Sequence, residues 1–263
     1  MDWRLILDED LPGHLNMARD TAILRALEEG WGAPTLRLYG WERPTISIGH
    51  AQDAAPFLTS GLPVVRRTTG GRAVVHWREV TYSVAGLCED PLFSGGILGT
   101  YSVISGCITA ALRDAGVDAA LFRGSAGAGK SAACFQTPSR FEILADGRKL
   151  VGSAQRRFRR AFLQHGSILM SHDTELNTAV FGGKLIGKMA SVGEFSDVSR
   201  QKLREMLVKR FSEGLCAAFL LSDLTEQEKG LSERLAAGCL VQGGAGDEDG
   251  LTESAEVIVF LRD

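Results

Sequence analysis

A thiol becomes a nucleophile when nearby cations favour its thiolate form. Residues 134–167, CFQTPSRFEILADGRKLVGSAQRRFRRAFLQHGS, place one such thiol near two lysines. Cys134 follows a Gly/Ala/Ser loop at 124–133, sits beside Lys130, and has Lys149 on the hairpin downstream. Asp146-Gly147 signals a two-residue turn, so Lys149 falls on a rigid strand two residues beyond it. Gly152-Ser153-Ala154 follows, with no bulk to keep a ligand from the backbone. The plainer reading of the same stretch is a β-meander with a stray lysine and a small buried cysteine.

Two further clusters carry chemistry. In Arg66-Arg67-Thr68-Thr69-Gly70-Gly71-Arg72, paired glycines admit a ligand to the backbone, and Arg67 and Arg72 can bind a carbonyl or a phosphate. A glycine hairpin with solvated arginines is the alternative. Arg156, Arg157, Arg159 and Arg160 make a basic run, which reads as a solvated face or as a docking surface for an acidic carrier protein. The string GSAGAGKS at 124–131 matches a phosphate-binding loop letter for letter. That motif needs a helix immediately after it, and Pro138 leaves no room for one, so the match reads as coincidence.

The elements that must hold these residues come in short-turn strand pairs separated by helices. Strands are expected over 3–7, 35–39, 45–48, 64–67, 73–76, 80–84, 141–145 and 148–151, and over 161–170 with an interruption at 164–167. Helical spacing marks 15–29, 97–115, 199–221 and 225–237, the last opened by the capping box Thr225-Glu226-Gln227-Glu228. Residues 181–195 fit no element. Residues 243–250 read as a mobile acidic linker and 251–263 as a possible last strand. Cys107, Cys216 and Cys239 read as packing residues. The pattern argues an α+β fold with a mixed, largely antiparallel central sheet flanked by helices. Residues 1–195 form its core, and 196–263 a helical extension of the same domain with a flexible acidic end.

The chain has 263 residues, a 44% hydrophobic fraction and a net charge of −3, which gives no global field for nucleic acid or membrane. The five cysteines form no metal-ligand spacing. Without a signal peptide or spanning segment, a reducing cytoplasm is expected.

Several ordered motifs together resemble the lipoate/biotin protein ligase superfamily. They are Asn16-Met17-Ala18 with Asp20, Pro44 to Gly49 with Gln52, RRTTGGRAVVH at 66–76 with Thr81-Tyr82-Ser83, GRKLVGSAQRR at 147–157 and LQHGSIL at 163–169. Within it the chain looks most like the LipM-type octanoyltransferases, because GGR ends the glycine motif and Cys134-Phe135 precedes Pro138-Ser139. The resemblance implies transfer of octanoyl from acyl carrier protein through a Cys134 thioester to a lysine of a lipoyl-carrier protein. That acceptor is the glycine cleavage H protein or a dehydrogenase acyltransferase subunit. Lys149 would hold the acyl carbonyl. Arg67, Thr69, Gly70, Gly71, Arg72, His76, Gly152, Ser153, Ala154, Gln155, His165 and Gly166 would bind substrate, and Arg156 and Arg157 would dock carriers. No metal or cofactor is required. An ATP- and Mg-dependent lipoate ligase, an amidotransferase between carriers, and a non-catalytic lipoyl-domain binder are the alternatives.

Overall fold

The computed structural model describes residues 3–122 and 142–241. Cys134, Lys130, the 124–131 string, Phe141 and the expected linker and strand over 243–263 lie outside the described residues. In chain order the elements are β1 (Trp3–Leu11), α1 (Gly13–Glu29), β2 (Thr35–Trp41), β3 (Thr45–Ile48), β4 (Val64–Arg66), β5 (Val74–His76), β6 (Glu79–Leu87) and α2 (Gly96–Asp114). They continue with β7 (Ala119–Leu121), β8 (Ile143–Ala145), β9 (Arg148–Arg157), β10 (Ala161–Leu169), α3 (Thr174–Phe181), α4 (Arg200–Gly214), β11 (Phe219–Leu221), α5 (Glu226–Cys239) and β12 (Leu240–Val241).

Among the described residues these strands make two sheets. The larger runs β11-β1-β2-β6-β10-β9-β8-β7. It is parallel through β11, β1 and β2 and antiparallel from β2 onward. The smaller runs β12-β4-β3-β5 and is parallel only between β3 and β4. The fold is therefore α+β with a mostly antiparallel main sheet, as the strand-pair pattern implies.

Successive side chains on a strand point to opposite faces, so each long strand of the large sheet feeds two layers. Leu36, Leu38, Val80, Tyr82, Val84, Phe162 and Ile168 pack with Ile104, Ile108 and Leu112 of α2 and with Leu203, Leu207 and Phe211 of α4. Alternate positions Ile6, Ala85, Ala161 and Leu163 pack with Ile23, Leu24 and Leu27 of α1. On that second face the alternation runs on into buried polar residues: Arg37, Tyr39, Thr81, Ser83, His165 and Ser167. A row of inward polar groups on otherwise apolar strands needs internal partners, and this row builds the site.

Several expectations are corrected. β2 and β3 flank the turn at Glu42-Arg43-Pro44 but belong to different sheets. β10 is not interrupted at 164–167; His165 and Gly166 pair with Ser83 and Tyr82 on one side and with Ala154 and Ser153 on the other. Residues 199–221 are not one helix. α4 stops at Gly214, the backbone turns through Cys216 at φ 48°, and Phe219–Leu221 joins the large sheet beside β1. The apolar run fits either period, and an open parallel edge at β1 decides for a strand. Cys216 is accordingly exposed rather than packed, whereas Cys107 is buried in the main core. Residues 174–181 form α3, capped by Asp173, where no helix was expected.

The last helix is anchored by charge. Thr225 and Glu228 form the expected capping box. The same Glu228 carboxylate, fully buried, takes both Nη atoms of Arg4 at 2.6 Å. Removing one partner of a buried pair strands the other charge. Arg4→Ala is therefore expected to lower unfolding stability by about 3 kcal/mol, read by urea denaturation. A loss no larger than that of an exposed arginine would show that the pair does not hold α5 to β1.

Candidate active site

Helical spacing puts Asn16 and Asp20 of α1 on one face, four residues apart. Both meet Arg37 of β2, which is fully buried. Its Nε donates to Asp8 Oδ2 at 2.7 Å, one Nη to Asp20 Oδ1 at 2.7 Å and to the Asn16 carbonyl at 3.2 Å, and the other Nη to Asn16 Oδ1 at 2.8 Å. The guanidinium lies 3.9 Å over the Tyr39 ring, and Tyr39 Oη donates to Asp20 Oδ2 at 2.9 Å. Burial alone would raise the Asp20 pKa, but Arg37 and His165 together hold it below the ordinary carboxylate value. Burial and the Asp20 charge push Tyr39 well above its ordinary value, so it stays a hydrogen-bond donor.

Asp20 carries the arrangement on to the first of two buried histidines. His165 Nδ1 lies 2.8 Å from Asp20 Oδ2, and its Nε2 lies 2.7 Å from Thr69 Oγ1. Burial depresses the His165 pKa despite the opposing pull of Asp20. The ring is thus neutral at neutral pH, with the proton on Nδ1 facing the carboxylate and Nε2 accepting from Thr69. His76 repeats the design: Nδ1 is 2.8 Å from Glu79 Oε1 and Nε2 is 2.7 Å from Ser47 Oγ. Trp41 stacks on the His76 ring at 3.9 Å and 7° and donates its indole N–H to Thr81 at 2.8 Å. Thr81 and Ser167 each donate to the same Glu79 oxygen, at 2.6 and 2.7 Å.

Between the two sheets lies a cavity of about 380 Å³, counting its open mouth. Met17, Tyr39, Trp41, Thr81, Gly152, Ser153, Ala154, His165, Gly166 and Ser167 line it from α1 and the large sheet. Ser47, Arg67, Val74 and His76 line it from the small sheet. The lining hydroxyls and imidazoles are engaged with one another or with buried groups behind them, so the wall offers an incoming ligand mainly ring faces and aliphatic carbon. That is the character of a site for an extended apolar chain.

The expected site residues divide as follows. Arg67, His76, Gly152, Ser153, Ala154, His165 and Gly166 line the cavity. Arg67 donates to the backbone carbonyls of Ser47, Gly70 and Arg72, and so folds the glycine loop. Gly70, Gly71 and Arg72 form that loop beside the cavity, with Gly71 at φ 91°, where a side chain would be strained. Thr69 reaches the cavity wall through His165. Gln155 is turned to Gln164, at 3.1 Å. Lys149 is buried and pairs with Glu142; it stands on β9, two residues past the Asp146-Gly147 turn, outside the cavity lining. Arg156 donates to the Thr68 carbonyl at 2.9 Å, whereas Arg157 holds Thr100 Oγ1 and the carbonyls of Cys88 and Phe93. Sequence reading missed Asp8, Arg37 and Trp41. The available signal was Arg37 between two leucines, sharing strand parity with Tyr39 and Trp41.

The depressed histidine gives a pH dependence. A histidine neutral in the fold gains its proton on unfolding, so below the ordinary value of 6.5 the unfolded chain binds more protons. Stability then falls as pH drops. Asp20 adds a loss in the same direction, beginning near its ordinary value of 3.8. Thermal midpoints should therefore decline from pH 7 to pH 5, and the decline should be shallower in His165→Gln. Parallel curves for the two proteins would assign the acid sensitivity to other groups.

The lipoyl protein ligase A/B catalytic domain family matches residues 12–219. Octanoyltransferase LipM of Kyrpidia tusciae is 38% identical over 260 residues, covering 89% of this chain and 95% of that protein. The LipM of Moorella thermoacetica is 38% identical over 257 residues, covering 89% and 94%. Among solved structures, lipoate-protein ligase A bound with ATP superposes with a TM-score of 0.76 at 28% identity, over 90% of this chain and 95% of that one. A bipartite lipoate protein ligase from Thermoplasma acidophilum, studied with its E2 lipoyl domain, gives a TM-score of 0.72 at 25% identity, over 90% and 92%. This chain belongs to the lipoyl protein ligase A/B catalytic domain family.

Proposed function

We propose that the protein is an octanoyltransferase of lipoate biosynthesis, taking octanoyl from acyl carrier protein and delivering it to a lysine of a lipoyl-carrier protein. The observation that carries this reading is the cavity between the sheets, walled by ring faces and aliphatic groups, in a chain that resembles LipM octanoyltransferases over 89% of its length. An eight-carbon acyl chain suits such a wall. The glycine loop and the small residues 152–154 leave room at the mouth for the thioester.

The chemistry runs in two steps. The Cys134 thiolate attacks the thioester carbonyl; the bond to the carrier sulfur breaks, and that sulfur leaves as a thiol after taking a proton. The neutral amine of the acceptor lysine then attacks the Cys134 thioester, forming the amide and expelling the thiolate, while the amine proton passes to solvent or a base. Each step puts negative charge on the carbonyl oxygen, and Lys149 supplies the opposing charge. Because the donor is already a thioester, no ATP is consumed. On this reading the enzyme works in the cytoplasm, and among the described residues no helix is long and apolar enough to cross a membrane.

The solved relatives at 25–28% identity are ligases, so the ATP-dependent reaction is the second reading. Intact mass after mixing the protein with octanoyl-acyl carrier protein, without ATP, separates the two. A hydroxylamine-labile octanoyl adduct on Cys134 is expected, and Cys134→Ala should abolish both adduct and transfer. Labelling of a lipoyl domain by free octanoate only when ATP is present, with no adduct, would make the protein a ligase. Lys149→Ala should lower kcat by about a hundredfold, as loss of an oxyanion donor does.

A further inference from the structure

We propose that Arg25, Arg66, Arg72 and Arg156, with His50 among them, form a cationic collar beside the cavity that docks the acidic carrier protein delivering the acyl thioester. This rests on the octanoyl-transfer reading and identifies the surface on which that donor lands.

The five residues come from α1, the turn after β3, the end of β4, the glycine loop and β9, and hydrogen bonds tie most of them to one loop. Arg156 donates to the Thr68 carbonyl at 2.9 Å. The His50 backbone N–H donates to the Thr69 carbonyl at 2.9 Å. Arg66 spans the carbonyls of Gly49, His50 and Gln52 at 2.8–3.1 Å. The Arg72 carbonyl is held by Arg67. The loop is continuous with the cavity wall: Arg67 lines the cavity, as does Ala154, two residues before Arg156.

Among the described residues, none of the four arginines has a carboxylate within ion-pair distance, whereas Arg4, Arg19, Arg37, Arg148, Arg200 and Arg210 all do. The acidic groups near them in sequence are spent elsewhere. Glu28 accepts from the backbone N–H groups of Arg160 and Ala161, and Asp53 from that of Ala55. The members repel one another: besides burial, Arg25 lowers the pKa of Arg156, and Arg156 and Arg66 lower that of His50. A like-charged collar without carboxylate partners among the described residues, on a chain of net charge −3, fits a partner that brings its own carboxylates. Arg157 is not part of it, because its guanidinium is committed to Thr100, Cys88 and Phe93 inside the fold.

The test compares wild type with Arg25→Glu and with the Arg25→Glu/His50→Glu double variant, both at positions whose side chains hold no part of the glycine loop. Two donors are used, octanoyl-acyl carrier protein and octanoyl-pantetheine, which bears neither protein nor phosphate. Carrier binding is measured alongside by calorimetry. KM for the carrier-borne donor should rise, by about tenfold or more in the double variant. The salt dependence of that KM should flatten, and kinetics with octanoyl-pantetheine should stay at wild-type values. Wild-type KM for the carrier donor in both variants, or an equal rise for both donors, overturns the docking surface. A wild type that binds the carrier through this collar but transfers nothing without ATP fails the transfer reading and leaves the docking surface standing.

Discussion

The burial of one arginine organises the site. Arg37 sits with no solvent exposure on a strand whose neighbours are leucines, where an unpaired guanidinium would cost several kcal/mol. The fold meets that demand from two directions. β1 supplies Asp8, and α1 supplies Asp20, Asn16 and a backbone carbonyl. Those partners fix how α1 lies across the large sheet, and hence where Met17 meets the cavity. They also set the state of His165. Asp20 has one oxygen on Arg37 and the other shared by Tyr39 and His165, so the carboxylate that neutralises the arginine also orients the imidazole.

His76 is the mirror of this arrangement on the small sheet. Each ring gives Nδ1 to a buried carboxylate and turns Nε2 to a hydroxyl. Each hydroxyl stands on or beside the loop-bearing strands: Thr69 in the glycine loop, Ser47 on β3. Thr69 couples the loop to the large sheet through His165. Ser47 couples His76 to Arg67, whose remaining donors hold the loop carbonyls. The loop that borders the cavity is thereby fastened to both sheets. Since these polar atoms are used up by one another, hydrogen bonding within the wall is what makes the cavity apolar toward a ligand.

Much of this was legible in the chain itself. The period of α1, the Asp146-Gly147 turn, the Thr225 capping box and the short strands at 45–48 and 64–67 follow from local chemistry, and they reappear with nearly the expected bounds. Residues 152–154 line the cavity between the sheets, and the glycine loop borders it. The failures have a common cause, which is that tertiary pairing outvotes local signal. Gln164-His165-Gly166-Ser167 looks like a break because it is polar and holds a glycine; in the fold it is the centre of a strand, paired on both sides. Residues 217–221 carry an apolar run compatible with a helix, and only the open edge of β1 makes part of it a strand. Arg156 and Arg157 look equivalent in sequence. Strand alternation sends them to opposite faces, one to the glycine loop and the other to α2 and the turn before it.

That separation bears on how a transferase of this kind can take its acyl group from a protein. The carboxylate-oriented histidines and the Arg37 cluster are paired within the wall, so little of that charge reaches an approaching partner. The unpaired charge stands instead at the rim, where among the described residues the guanidinium groups have no carboxylates within ion-pair distance. A largely apolar wall with a cationic rim divides the labour physically. Long-range attraction acts on the carrier, which stays in water where screening sets its reach. Short-range packing acts on the acyl chain, whose transfer from water into the cavity is favourable at roughly 0.8 kcal/mol per methylene. The two contributions come from different surfaces, so carrier recognition and chain recognition can vary independently while the buried network between them stays intact.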